Sequence, residues 1–141
     1  MKNIRIALVT AALHVAKDVL LMDESSIIVE NFPRPEISGA WLQIWFKPAQ
    51  PHVGSLGSGG MDIVVGSLKC NFHIPLDSGC DFGLNATEAF RNYFVAGKRV
   101  IFGGQEVTIT DCGVNLNRIV DTWFRADVDI GFRANLQRGT A

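Results

Sequence analysis

Trp123-Phe124-Arg125-Ala126-Asp127-Val128-Asp129-Ile130-Gly131-Phe132-Arg133 decides the fold. Side chains alternate across a β-strand, so Trp123, Arg125, Asp127, Asp129, Gly131 and Arg133 fall on one face while Phe124, Ala126, Val128, Ile130 and Phe132 fall on the other. Such a strand lies in a sheet with one side on a core. The same alternation recurs from Asp62 to Ile74, where Leu68, Cys70, Phe72 and Ile74 oppose Ser67, Lys69, Asn71 and His73 until Pro75 ends the run. Ala40 to Phe46 is aromatic and branched, and Pro48 and Pro51 close it because proline donates nothing to a ladder. Ile27-Ile28-Val29 reads as a short strand stopped by Asn31 to Pro35. Val100 to Phe102 and Val107 to Thr110 flank Gly103-Gly104, the spacing of a hairpin.

Two helices stand among these strands. From Ile4, the positions Leu8, Ala11, Ala12, Val15 and Val19 recur at three- and four-residue steps, which predicts a helix ending near Met22. Its apolar run is broken by His14, Lys17 and Asp18, and Asp23-Glu24 follows where a secretory leader would carry small residues, so it is read as a helix and not as a signal peptide. Leu84 to Ala96 gathers Leu84, Ala89, Phe90, Tyr93 and Phe94 on one side, with Gly97 as its stop. The stretch 48–61, rich in glycine and serine, reads as an exposed loop, and 134–141 as a loose tail. The expectation is a single-domain α+β fold: a mostly antiparallel mixed sheet of about five to six strands, covered by two helices.

Composition narrows the function. The 141 residues suit one domain, and 48% hydrophobic with 19% charged residues describes a globular chain with apolar surface to spare for a partner. Thirteen basic residues against 14 acidic ones, a formal net charge of −1, supply no field to hold a polyanion or an anionic membrane. No stretch approaches the roughly 18 uncharged apolar residues that a membrane-spanning helix requires. Cys70, Cys80 and Cys112 are odd in number and unevenly spaced, which argues against a disulfide framework or a closed zinc site and for reduced thiols in a cytoplasm.

Each candidate for chemistry has a plainer reading. Cys70 and His73 are the one close nucleophile–base pair, yet three residues apart on a strand they project to opposite faces. His14 and His52 make no metal-ligand spacing. Gly54-Ser55-Leu56-Gly57-Ser58-Gly59-Gly60 resembles a phosphate cradle only in its glycines, since no lysine with Ser or Thr and no helix follows. Asp127 and Asp129 share a face, which suits acid–base work or a divalent cation, but Arg125 and Arg133 share it too, and alternating charge marks a solvated or subunit-contacting surface. Trp41, Trp45 and Trp123 are core or interface anchors more readily than a stacking platform. No catalytic residue, metal or cofactor is expected.

The order of segments resembles the tail terminator, or tail completion, proteins of long-tailed bacteriophages. The residues that carry the likeness are the N-terminal helix, the short strand running into Glu30-Asn31-Phe32-Pro33-Arg34-Pro35, and the tryptophan strand of Ala40 to Phe46. Gly66 to Pro75, the turn Asp77 to Gly83, the aromatic helix segment Ala86 to Gly97 and the long last strand follow in the family's order. The resemblance implies a homohexameric ring that sits on the last ring of the tail tube, stops its polymerisation and offers a surface for the head. Its implied partners are copies of itself, the tail tube protein and a head-completion or connector protein; DNA would thread the lumen without its sequence being read, and no membrane is involved. Its place would be the head-proximal end of the virion tail, assembled in host cytoplasm. The length and glycine content of Gln50 to Gly60 depart from the pattern. Ring closure needs one face of each subunit to meet a different face of the next. The surfaces expected to do so are His52, Ser55 and Ser58 in the loop and Arg125, Asp127, Asp129 and Arg133 on the last strand. Rival readings are another head–tail connector or tube ring protein, and a small-ligand-binding α+β domain.

Overall fold

The computed structural model describes residues 1–30, 39–57, 59–76, 78–79, 81–120 and 123–137, leaving aside the side chains of Asn117, Arg118 and Val120. Helix α1 (Lys2–His14) passes into a wider π-helical turn, Val15–Val19, and a short 3-10 turn, Glu24–Ser26, before strand β1 (Ile27–Val29). Strands β2 (Trp41–Pro48), β3 (His52–Val53) and β4 (Met61–Pro75) precede helix α2 (Asp81–Tyr93), and β5 (Arg99–Phe102), β6 (Gln105–Val120) and β7 (Trp123–Gln137) complete the chain.

The two alternating stretches pair with each other. β4 and β7 run antiparallel from Met61 opposite Gln137 to Pro75 opposite Trp123 and form the centre of a sheet ordered β1-β2-β4-β7-β6-β5, with β3 on the edge of β4. Among the described residues only β1 and β2 pair in parallel and the other pairings are antiparallel, so the sheet is mixed, with seven strands described in one domain. Strands account for about half of the structure, and the sheet curls into a half-barrel, so it is less a sheet covered by helices than a curled sheet with helices on one side.

That side carries the core. Val64, Leu68, Cys70, Phe72 and Ile74 of β4, Ala126, Val128, Ile130, Phe132 and Ala134 of β7, and Leu42 and Ile44 of β2 are buried against Ile4, Leu8, Ala12 and Val15 of the first helix and Ala86, Phe90 and Phe94 of the second region. Gly83 lets α2 approach closely, since a Cβ there would lie 2.8 Å from Ile74 Cδ1. Arg5 on α1 donates to Glu30 at 2.9 Å, and the other Glu30 oxygen accepts the Phe46 N–H at 2.6 Å, fastening the helix to the β1–β2 edge.

Several expectations need correction. Val19 is exposed, because the π turn widens the helix and rotates its last residues out of the stripe. α2 begins at Asp81, and Gly83, Ala86, Thr87 and Phe90 form its inner row while Leu84 faces solvent. The stretch 48–61 is not all loop: His52–Val53 pairs with Ile63 and Asp62. Nor does the tail start at residue 134, because β7 runs to Gln137, held by β4. β6 extends ten residues beyond the expected Thr110. The Gly103-Gly104 hairpin is as expected, with φ of 58° and 79° at the two glycines, the left-handed pair that a tight two-residue turn requires. Asn31 to Pro35, Asp77, Cys80 and the last residues, 138–141, lie outside the described residues.

Candidate functional site

The helix-free face of the sheet is built in rows set by strand register. One row across β2, β4, β7 and β6 reads Lys47, Ser67, Gly131, Asp111; the next reads Trp45, Lys69, Asp129, Gly113; the third reads Gln43, Asn71, Asp127, Asn115. Neighbouring strands lie about 4.8 Å apart, so each row is roughly 14 Å wide. Gly113 places no side chain on the face, and the hollow it leaves contributes to a groove of about 510 Å³ lined by Trp45, Lys47, Lys69, Asn71, Arg125 and Asp129 among others. Asp111 folds its carboxylate over Gly131, where a Cβ would collide with it.

The charges of the groove answer one another. Lys69 donates to Asp129 at 3.2 Å across the β4–β7 ladder, and Arg125 donates to Asp127 at 3.0 Å along β7. The first pair is exposed and contributes little to stability, whereas Arg125 and Asp127 keep only 20% and 14% of their side-chain surface and are held in place. Beyond them the fourth row reads Trp41, His73, Arg125, and Trp123 stands one row further along β7. Trp41 and His73 stack at 3.7 Å, 6° from parallel, and Trp123 meets both rings edge-on at 6.2 and 6.4 Å.

The expected contact residues separate. Arg125, Asp127 and Asp129 come together in the groove; Arg133, four residues beyond Asp129 and so about 13 Å further along β7, borders a second hollow with Gln105, Glu106, Thr108 and Asn135. His52 is exposed on β3 beside β4. Ser55 is exposed and its hydroxyl oxygen accepts the Met61 N–H at 2.8 Å, which holds the hairpin end in shape. Ser58 lies outside the described residues. Lys69, Asn71, Trp45, Lys47 and Asn115 belong to the groove although sequence reasoning did not single them out as a set. The charge of Lys69 opposite to Asp129 was a signal, but register, which makes them neighbours, is invisible in a list of residues.

The thiols show why the nucleophile reading finds no support in geometry. Cys70 faces the core and His73 the opposite side, and burial, aided by Cys112 and Asp129, drives the Cys70 thiol far above its ordinary range. Burial also raises Cys112, Arg91 opposing it and Asp111 and Asp129 reinforcing it. Among the described residues no cluster of His, Cys, Asp and Glu could hold a metal ion, and no helix is long and apolar enough to cross a membrane.

No protein-family model and no curated protein matches the chain. A solved structure whose name describes no function superposes on it with a TM-score of 0.67 at 17% identity, over 90% of this chain and 93% of that one. At that identity the likeness speaks for the fold alone.

Proposed function

We propose that the chain is the subunit of a ring that caps a bacteriophage tail tube, ends its growth and presents a surface to the head. The order of segments that carries the sequence resemblance supports this reading. The observation that bears most on it is the helix-free sheet face: a broad polar surface on which Lys69–Asp129 and Arg125–Asp127 already satisfy one another. A face of alternating, locally neutral charge suits specific docking of one protein surface on another, because it fixes orientation without attracting polyanions. Reversal of charge at Asp127 and Asp129 together would probe the face, but Asp127 is nearly enclosed beside Arg125, so Asp129→Lys is the cleaner variant. In phage carrying Asp129→Lys, with the protein's thermal midpoint unchanged, tails lengthen and infectivity falls. Normal tail length and titre would count against the reading.

A second reading has its own observation. The groove of about 510 Å³ with Trp45 as a wall is of a size to take a small polar molecule. A ligand retained through purification and displaced by Trp45→Ala would favour it.

A further inference from the structure

Several groups that line the sheet-face groove are left unused by the protein itself. Arg125 is held by one bond, from Nε to Asp127 at 3.0 Å, and its side chain keeps only 20% of its surface, yet among the described residues nothing accepts from its two outer nitrogens. The side-chain amides of Asn71 and Asn115 likewise bond to no other described residue. Lys69 is engaged by Asp129, whereas Lys47 meets no carboxylate among the described residues. Three cations, Lys47, Lys69 and Arg125, thus line the groove against two carboxylates, Asp127 and Asp129, which leaves one positive charge over.

These groups define what would satisfy them. A guanidinium presents a planar fork of N–H donors that matches a carboxylate. One surplus charge selects a ligand of low negative charge, since a phosphate dianion or a densely charged polymer would bring more charge against Asp127 and Asp129 than the groove offsets. The amide, ammonium and carboxylate groups of the floor call for hydroxyls, because an apolar ring laid on them would strip away water without replacing its bonds. Among the described residues Trp45 is the one aromatic side chain in the lining, a flat apolar patch at the β2 end for the C–H face of a ring. The bond to Asp127 draws Arg125 toward the Asp127 row, which stands one row from Trp45 and two strands across. That separation is about 7 Å along the strands and about 10 Å across them, or about 12 Å in all. One sugar ring does not bridge it and two linked rings do.

The geometry points to the groove as a site for a short acidic saccharide, with a uronate carboxylate on the Arg125 fork and the neighbouring ring on Trp45. The sugar hydroxyls meet Asn71, Asn115 and the Lys69–Asp129 pair between these two ends. The assignment rests on the small-molecule reading of the groove, whose ligand class it names, and is independent of the ring reading.

NMR titration of the full chain tests it. Cellobiouronate and digalacturonate, each a pair of linked sugar rings with a carboxylate, saturably shift the Trp45 indole N–H and the Asn71 and Asn115 side-chain amides, and neutral cellobiose binds at least about tenfold more weakly. Arg125→Lys keeps the charge and loses the fork, so it brings the acidic disaccharides down toward cellobiose. Because Arg125 is mostly enclosed, Asn115→Ala at an exposed position supplies a second variant; with an unchanged thermal midpoint it weakens both acidic disaccharides by at least about threefold. Phenyl phosphate, an anion whose ring carries no hydroxyls, separates saccharide binding from small-ligand binding in general. If it moves the same signals while neither acidic disaccharide does, the groove takes a small ligand and the saccharide assignment is wrong; if none of the three does, the small-molecule reading fails with it. Cellobiose binding as tightly as the acids, shifts that fall away from the groove, or unchanged affinity in both variants would also overturn the assignment.

Discussion

Gly66 occupies a place that no other residue fits. A Cβ there would lie 2.5 Å from the Lys47 carbonyl oxygen and 2.7 Å from the Pro48 Cα, both backbone, so relief requires parting β2 from β4. Gly66→Ala destabilises the protein by about 2 kcal/mol, read as a lowered urea midpoint with unchanged slope. Cys70 shapes stability in alkali. Its folded pKa is raised, so the neutral thiol is favoured in the native state; that contribution is complete below the unfolded value near 9 and declines as pH rises above it. Stability falls above about pH 9 by up to about 1.4 kcal/mol per pH unit, and Cys70→Ala flattens this slope in denaturant titrations at each pH. Alternation shows in the sequence which side of β4 holds Cys70. It also assigns His73 to the face opposite the core, but not its burial, because the stack on Trp41 depends on a cross-strand neighbour that only register supplies.

Among the elements, α1 owes its seat to one carboxylate as well as to its apolar stripe. Glu30, 18% exposed, takes the Arg5 Nε–H and the Phe46 N–H, linking a helix to two strands. Glu30→Ala removes both bonds and leaves an edge amide unsatisfied, costing about 2 kcal/mol by thermal denaturation, while Glu30→Gln, which keeps an acceptor, costs less. β4 and β7 could be read from sequence because their alternation is unbroken. The far half of β6 could not: Cys112, Val114 and Leu116 do alternate with Asp111, Gly113 and Asn115, but glycine, aspartate and asparagine are poor strand formers, and two bulges break the period. The π turn hides for the opposite reason, since Val15 and Val19 keep helical spacing while the backbone departs from it.

For the whole molecule, the α+β class and one-domain architecture follow from the counting of alternating and helical segments. The curl of the sheet does not, nor does the groove, because both arise from pairings between residues far apart in the chain, as between Lys69 and Asp129 or Met61 and Gln137. The sequence marked Arg125, Asp127 and Asp129 as one surface and the fold keeps them together, while strand length carries Arg133 to the far end. In the proposed reading the chain acts through surfaces shared with its own copies. Electron microscopy of the purified full chain, alone and mixed with growing tail tubes, tests this most directly. The account predicts six-fold rings seated on tube ends whose length no longer increases; single subunits beside tubes that keep growing would contradict it.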